Sequence, residues 1–161
     1  MMKALRVRDL MTTQVVTVRP TDTLRQATIK FAVDNITGAP VVDNRNHIVG
    51  MITENDVLEL ILKYQEKLQS DTTFHNLLAI PMDGEIADEK VAQANKAISD
   101  MTVETIMTRS ILTTTPDAEI VEALKVMMRL NVNRIPVLEQ GILVGTISRS
   151  DIIFYIYKKK V

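Results

Sequence analysis

The chain contains no cysteine and only two histidines, His47 and His75, among its 161 residues. The absence of cysteine excludes disulfide bonds, thiolate metal sites and a cysteine nucleophile, so nothing in the sequence requires an oxidising compartment. The two histidines lie far apart in the sequence and in unlike contexts, which excludes a histidine-rich metal site. We predict that both are surface residues.

Neither sign of charge dominates. The 19 basic and 20 acidic residues give a formal net charge of −1, so there is no global field that would attract nucleic acid or an anionic membrane. The sequence also has no apolar run of about 18 residues, and its first residues lack the apolar core and cleavage site of a secretory signal. We therefore expect a cytoplasmic protein without nucleic-acid or membrane partners.

Several catalytic and cofactor motifs are also missing. The sequence has neither the phosphate loop G-x-x-x-x-G-K-[ST] nor the dinucleotide fingerprint G-x-G-x-x-G. The acidic stretch DGEIADE at residues 83–89 has its glycine at the wrong position for a calcium loop. We predict a protein that is not an enzyme and that requires no cofactor and no metal.

What the sequence does contain is an internal repeat, within a composition of 46% hydrophobic and 24% charged residues that is typical of a globular protein. Residues of the first third align with residues 96 positions later and, after a one-residue deletion, 95 positions later. We predict a first repeat over residues 1–62, a helical insert over 63–100 and a second repeat over 101–161. The matched pairs include Met11/Met107, Pro20/Pro116, Asn35/Asn131, Pro40/Pro136, Gly50/Gly145 and Asp56/Asp151.

Each repeat shows the same succession of local patterns. A short β-branched segment, 15–18 or 111–114, stops at a proline and predicts a strand. Apolar residues at helical spacing follow, and then two strands and a second helix that begins near Thr53 or Ser148. The pattern predicts an α+β fold of two tandem β-α-β-β-α repeats, which share a core and pack about a pseudo-twofold axis. The apolar residues of the first predicted helices are Leu24, Ala27 and Phe31, and Ile120, Ala123, Leu124 and Met127; we expect Met128 to fill the core as well.

The insert of residues 63–100 is too long for a plain connector. Its beginning is predicted to prolong the second helix of the first repeat, and DEKVAQANKAISD at 88–100 to form a further helix. Two interpretations of the segment between them remain open, packing back on the module or a lid or partner-binding arm. Its apolar residues are Phe74, Leu77, Leu78 and Ile80.

The motif GMITEND at residues 50–56 recurs as GTISRSD at 145–151. One interpretation is structural, because Thr53 with Asp56, and Ser148 with Asp151, fit the hydroxyl and acidic positions of a helix capping box. The other is a ligand site, because the unpaired N–H groups and the backbone dipole of a helix N-terminus attract anions. The aspartate would repel a bare phosphate. A nucleotide could instead place its ribose hydroxyls on the aspartate and its phosphate on the hydroxyl residue and the amides.

The succession VRDLMTTQVVTVRP, ITGAPVVD and IVGMITENDV, repeated as VETIMTRSILTTTP, VNRIPVLE and LVGTISRSDI, resembles a pair of cystathionine β-synthase (CBS) domains, often called a Bateman module. The resemblance covers both repeats and leaves out mainly the insert. It implies that AMP, ADP, ATP or another adenosyl ligand binds in two clefts between the repeats. Some members of the family bind nothing.

The resemblance also implies the residues of each cleft. One would use Thr53 and Asp56 and the other Ser148 and Asp151, with the aspartate on the ribose and the hydroxyl on the phosphate. The adenine would lie against the first strand and the backbone at the start of the next. The implied ligand-binding residues are Thr17, Gly38, Ala39, Thr53, Asp56, Thr113, Arg134, Ile135, Ser148 and Asp151.

The two copies differ where charge matters. Gly38 aligns with Arg134, and Arg149 occurs only in the second motif. An arginine beside a phosphate makes a charge-assisted contact that glycine cannot replace. Family geometry implies that Arg134 reaches the cleft of Thr53 and Asp56, which would then prefer more phosphate charge than its twin. The alternative is that Arg134 is a solvated loop residue.

We expect a stand-alone regulatory module that binds an adenine nucleotide and signals to an unknown protein effector by conformational change. We also expect a homodimer formed through helical faces. The alternatives are a structural scaffold whose repeated motifs only cap helices, a binder of S-adenosylmethionine or NAD, and an enzyme, which the missing catalytic set disfavours.

Overall fold

The computed structural model describes residues 3–69 and 89–159. The chain divides into two compact units that cut across the two sequence repeats. The first-repeat unit consists of Val18–Val41 and the described residues of Gly50–Arg109. The second-repeat unit consists of the described residues up to Thr17, Val42–Val49 and the described residues from Ser110 onward. Each unit therefore contains most of one repeat and the opening segment of the other.

The described residues form helices and strands in an order that repeats. The helices and strands are, in chain order, α1 (Val7–Leu10), α2 (Leu24–Asp34), β1 (Gly38–Val42), β2 (Ile48–Thr53), α3 (Glu54–Gln69), α4 (Glu89–Asp100), α5 (Val103–Ile106), α6 (Ile120–Arg129), β3 (Arg134–Glu139), β4 (Ile142–Ser148) and α7 (Arg149–Lys159). Strands β1 and β2 form one two-stranded sheet, and β3 and β4 form another. The α+β fold with two tandem repeats is confirmed.

The helix predicted after each proline is present. Helix α2 begins after Thr23, whose hydroxyl accepts a hydrogen bond from the Gln26 N–H at 3.1 Å. The Gln26 side chain accepts one from the Thr23 N–H at 2.8 Å, which completes a capping box. The apolar faces are buried as predicted, except that Leu124 is half-buried against the core and Met128 is 60% exposed and does not fill the core. The buried residues on these faces are Leu24, Ala27, Phe31, Ile120, Ala123 and Met127.

The first predicted strand of each repeat is reduced to one parallel bridge. Val18 pairs with Val41 in the first repeat, and Thr114 pairs with Val137 in the second. A proline follows each bridge residue two positions later. Proline has no N–H to donate, so it ends the ladder where a longer strand would need its next hydrogen bond.

The opening segment of the chain belongs to the second-repeat unit. The Val7 N–H donates to the Ala118 carbonyl at 2.8 Å, and the Ile120 N–H donates to the Leu5 carbonyl at 2.9 Å. The Val7 side chain is fully buried in a core cluster that includes Met127 of α6. Helix α1 is thus anchored by backbone hydrogen bonds and by burial of an apolar side chain.

The opening segment of the second repeat makes the corresponding contacts in the first-repeat unit. The Val103 N–H donates to the Asp22 carbonyl at 2.8 Å, and the Leu24 N–H donates to the Met101 carbonyl, also at 2.8 Å. Val103 is fully buried, as Val7 is. The two repeats have therefore exchanged their opening segments, a feature that the sequence repeat alone does not reveal.

The insert contributes the helical structure that the sequence predicts at both of its ends. Helix α3 continues through Gln69, and α4 packs against α2 and α3 in the first-repeat unit. The buried residues of α4 are Val91, Ala94 and Ile98. The apolar segment that contains Phe74, Leu77, Leu78 and Ile80, and with it His75, lies outside the described residues.

The turn between β1 and β2 is polar, as predicted. Asp43 Oδ1 accepts hydrogen bonds from the N–H groups of Arg45 and His47, both at 2.9 Å. The His47 backbone N–H is the main cause that lowers the pKa of the Asp43 carboxyl below its usual value. The His47 side chain is 43% exposed. None of the helices in the described ranges combines the length and the apolar character that a membrane span requires.

Glycine is required at the repeated position Gly50/Gly145 because another backbone passes close by. Gly145 would place a Cβ 2.8 Å from the Thr12 carbonyl oxygen, and Gly50 would place one 2.9 Å from the Thr108 carbonyl oxygen. Both distances are too short for a side chain. Each glycine therefore lets the exchanged opening segment pair with the strand that leads into the second helix of the repeat.

We expect Gly145→Ala to lower the free energy of unfolding by about 1–3 kcal/mol, because the methyl group would push Thr12 away from β4. Urea unfolding followed by circular dichroism measures this change. The control is Ser150→Ala at an exposed position five residues later, which should change stability little. Equal stability of Gly145→Ala and the parent protein would contradict the proposed close packing.

Candidate functional site

Both repeated motifs form a capping box where a strand runs directly into a helix. At the end of β2, the Thr53 N–H donates to Asp56 Oδ2 at 2.9 Å, and the Asp56 N–H donates to Thr53 Oγ1 at 3.3 Å. At the end of β4, the Ser148 N–H donates to Asp151 Oδ2 at 2.9 Å, and the Asp151 N–H donates to Ser148 Oγ at 3.1 Å. We call these pairs the Thr53 cap and the Ser148 cap.

The cap leaves one backbone donor open at each helix start. The first helical N–H is used, since Glu54 donates to the Thr37 carbonyl at 2.8 Å and Arg149 donates to the Asn133 carbonyl at 3.0 Å. The next residues are Asn55 and Ser150, and both are exposed. Their N–H groups have no acceptor among the described residues. Each cap therefore presents a free N–H at the positive end of a helix dipole.

The hydrogen bonding of the second aspartate carboxylate oxygen, Oδ1, differs between the caps. The Thr12 hydroxyl lies 3.4 Å from Asp151 Oδ1, which is a long and weak hydrogen bond. Asp56 Oδ1 has no hydrogen-bond partner in the described part of the chain. The Thr53 cap thus has one uncommitted carboxylate oxygen, and the corresponding oxygen of the Ser148 cap is weakly engaged.

Gly38 and Arg134 occupy equivalent places, each beside the cap of its own repeat. A Cβ on Gly38 would lie 3.0 Å from Thr53 Cγ2. Arg134 faces Ser148 in the β3–β4 register, and its Nη1 donates to Thr146 Oγ1 at 3.1 Å. The predicted reach of Arg134 to the Thr53 cap is not tested by these contacts and stays a prediction.

Arg149 has a structural role that its place in the repeated motif does not indicate. Its Nη2 donates to the Met127 carbonyl and its Nε to the Val132 carbonyl, both at 3.0 Å. Nη2 also lies 3.3 Å from the Asn131 side-chain oxygen. The guanidinium therefore caps the C-terminal end of α6, where a cation interacts favourably with the helix dipole. No local signal relates Arg149 to a carbonyl 22 residues earlier.

The remaining predicted residues lie at the starts of the strands. Ala39 and Ile135 are the second residues of β1 and β3, and they are 0% and 2% exposed. Thr17 and Thr113 precede the bridge residues of the two repeats and are half-buried. Their predicted contact with an adenine stays a prediction.

Each cap combines a hydroxyl, a carboxylate and an exposed helix N–H, and these groups can bind a ligand that offers both donors and acceptors. No cluster of three or more histidine, aspartate or glutamate residues that could hold a metal occurs within residues 3–69 and 89–159. The chemistry that the caps support is recognition through hydrogen bonds.

We expect Thr53→Ala and Ser148→Ala each to lower the free energy of unfolding by about 1 kcal/mol, because each removes the acceptor for an amide at a helix start. Chemical denaturation of the ligand-free proteins measures the loss. Thr13→Ala, at an exposed threonine, serves as the control and should be neutral. Neutral results at both caps would mean that the reciprocal pairs do not hold the helix starts.

Known proteins are similar to this chain over nearly its whole length. A CBS domain-containing protein of Dictyostelium discoideum is 31% identical over 94% of this chain and 91% of its own length. The chain spans 32% to 41% of three longer curated relatives. It resembles the structure of Arabidopsis thaliana CBSX2 in complex with AMP, at 22% identity and a TM-score of 0.70, over 97% of this chain and 98% of that one.

A further structure of similar fold is the CBS domain pair of protein MJ0100 in complex with 5′-methylthioadenosine and S-adenosyl-L-methionine. It is 22% identical with a TM-score of 0.64, over 98% of this chain and 99% of that one. The family model of the CBS domain matches residues 7–63 and 103–158, which together contain both caps. The chain therefore belongs to the CBS domain family and carries two copies of the domain.

Proposed function

We propose that this chain is a regulatory module that binds an adenosyl ligand, such as an adenine nucleotide, at the Thr53 cap and at the Ser148 cap. The observation that carries the proposal is the double occurrence of one arrangement, a hydroxyl, a carboxylate and an exposed N–H at a strand-to-helix junction. The AMP complex of CBSX2 and the adenosyl complex of the MJ0100 domain pair support it, because both have the same fold.

The geometry of the Thr53 cap suits a ribose. The two vicinal ribose hydroxyls are donors, and Asp56 keeps one carboxylate oxygen that no described residue uses. The other oxygen accepts one bond from the Thr53 N–H and has a second lone pair available. The carboxylate can therefore bind the diol without releasing the cap.

A phosphate would bind on the opposite side of the same arrangement. The free N–H of Asn55 or Ser150 is a donor at the positive end of a helix, and the cap hydroxyl carries a proton of its own. Because the hydroxyl accepts from the amide of the aspartate and keeps its own proton to donate, the capping and ligand roles are compatible.

Each cap is connected by backbone hydrogen bonds to the exchanged opening segment of its unit, so ligand binding at the cap would affect that segment. Thr146, two residues before Ser148, exchanges two backbone hydrogen bonds of 2.9 Å with Thr12. Met51, two residues before Thr53, exchanges bonds of 2.9 and 2.8 Å with Thr108. A ligand that binds more tightly when these segments are docked would shift the equilibrium between their docked and released states, and an effector protein would recognise the change.

A structural scaffold is the second candidate function. The specific observation in its favour is that each aspartate accepts a hydrogen bond from the N–H of its own cap residue, at 2.9 Å in each repeat. A capping role alone accounts for these bonds. In that case the motif would be repeated because each repeat needs a firm helix start.

We include homodimerisation in the proposal because α7 has an exposed apolar face. Ile153, Phe154, Ile156 and Tyr157 are 47% to 68% exposed, and their spacing of three and four residues places them on neighbouring parts of the helix surface. A second copy of the chain is the occupant we propose, since a twofold dimer buries the same face on both subunits.

The ligand prediction is tested with thermal shift and isothermal titration calorimetry against AMP, ADP, ATP, NAD and S-adenosylmethionine. We expect at least one of them to stabilise the protein, by about 2.7 kcal/mol at a free concentration of 100 times Kd. Asp56→Asn and Asp151→Asn should each remove one site, because the amide retains an acceptor for the cap N–H but loses one acceptor for the ribose.

The asparagine variants separate ligand binding from capping. Their ligand-free melting temperatures should stay near that of the parent protein, whereas the number of bound ligands should fall by one in each. Full stoichiometry in both variants would contradict the ribose role of the aspartates. If none of the five compounds binds the parent protein, the scaffold function is favoured.

The dimer prediction is tested with Phe154→Asp in sedimentation-velocity experiments. We expect the parent protein to be dimeric and the dimer Kd of the variant to rise at least about tenfold, because a charge would be buried in an apolar interface. The matched control is Val33→Asp on α2, where the parent side chain is 77% exposed. A monomeric parent protein, or equal dissociation of both variants, would contradict the proposed interface.

A further inference from the structure

Equivalent positions around the two caps carry different charges. At and around the Thr53 cap these positions hold the acidic residues Asp56 and Glu54. At and around the Ser148 cap they hold Asp151 and the basic residues Arg134 and Arg149. The exchanges are Gly38 for Arg134, Met51 for Thr146 and Glu54 for Arg149. Each of these differences makes the surroundings of the Ser148 cap more favourable for an anion or richer in donors.

Arg134 and Thr146 form a donor pair beside the Ser148 cap. Arg134 is exposed and faces Ser148 across the β3–β4 pair, and Thr146 is only 3% exposed. Among the described residues, the guanidinium uses one donor, on Thr146 Oγ1 at 3.1 Å. An arginine has five N–H donors, so several remain for an anion, and the bond to Thr146 fixes the guanidinium two residues before Ser148 on the strand that leads into the cap.

Arg149 is not the arginine that we expect to contact an anion at the Ser148 cap. Its Nη2 donates to the Met127 carbonyl in the last turn of α6, and its Nε to the Val132 carbonyl just beyond that helix. It therefore adds positive charge to the surroundings of the Ser148 cap without being directed at a ligand. Among the described residues of the second repeat, Arg134 is the basic side chain that is both beside the cap and largely uncommitted.

The described residues at the corresponding positions of the Thr53 cap form no such donor pair. Met51 replaces the threonine and cannot donate, and Gly38 replaces the arginine. Glu54 and Asp56 both lie in the first turn of α3, where their charges would repel a phosphate. Arg109, which follows Thr108 in the paired opening segment, directs its Nη2 to the Glu104 carbonyl at 3.4 Å.

We propose that the two caps select ligands of different charge, the Ser148 cap a phosphorylated adenosine nucleotide through Arg134, and the Thr53 cap an uncharged adenosine derivative. The inference rests on the proposed function, since it assigns the ligand class of the same two sites. It reverses the sequence-based expectation, in which Arg134 serves the Thr53 cap.

The test uses calorimetry with AMP and 5′-methylthioadenosine on proteins that keep a single site. Asp56→Asn leaves the Ser148 cap, which should bind AMP at least about tenfold more tightly than 5′-methylthioadenosine. Asp151→Asn leaves the Thr53 cap, which should show the opposite preference. Adding Arg134→Gln to Asp56→Asn should weaken AMP binding at least about tenfold and leave 5′-methylthioadenosine within about twofold.

Two further variants make the result specific. Arg134→Lys in the same background should retain most of the preference for AMP, because it keeps the charge. Arg129→Ala, which removes an exposed arginine of α6, should change neither affinity. Unchanged AMP affinity in the Arg134→Gln variant would overturn the inference.

The location of the effect is equally decisive. If Arg134→Gln weakens AMP binding only in the Asp151→Asn protein, Arg134 serves the Thr53 cap and the inference is overturned, while the proposed function stands. If the parent protein binds neither AMP nor 5′-methylthioadenosine nor any other adenosyl compound, the proposed function fails, and the inference fails with it.

Discussion

The reciprocal hydrogen bonds of the two caps are the constraint on which the rest of each repeat depends. In each repeat a strand passes into a helix without an intervening loop, so the amides of the first helical turn need acceptors at once. The threonine or serine hydroxyl and the aspartate carboxylate supply them, at distances of 2.9 to 3.3 Å. The same bonds fix the direction of the carboxylate and leave the next N–H exposed.

The cap also relates the exchanged segments to the proposed function. The glycine three residues before each cap residue lets a foreign backbone approach, with Cβ clearances of 2.8 and 2.9 Å. Two residues before the cap, the strand pairs with that backbone in both directions. Cap, strand and opening segment therefore form one continuous set of backbone hydrogen bonds in each unit, so a ligand at the cap would act on a segment that comes from the other repeat.

Much of this arrangement could be predicted from the sequence because its signals are local. The repeat offset, the apolar spacing of α2 and α6, and the threonine or serine followed three residues later by aspartate are all read over a few residues. The exchange of opening segments could not be predicted in this way. It depends on pairings such as Thr12 with Thr146, for which a repeat gives two equally good partners.

The differences between the two caps were only partly predictable. The sequence shows that Arg134 replaces Gly38, but the partner of a long side chain depends on tertiary geometry, and in the structure that partner is Thr146. Arg149 could not be assigned either, because the carbonyls it binds, in the last turn of α6 and just beyond it, are distant in the sequence. The charge at each position could therefore be predicted, whereas the orientation and the partner of the charged side chain could not.

We propose above all that an adenosyl ligand binds at the capped helix starts. The most direct measurement is an NMR titration of the ¹⁵N-labelled protein with AMP that follows the backbone amides of residues 53–56 and 148–151. We expect the largest chemical-shift changes in one or both of these stretches, including the amide of Asn55 or Ser150. Saturable binding that leaves both stretches unchanged while other amides shift would contradict it.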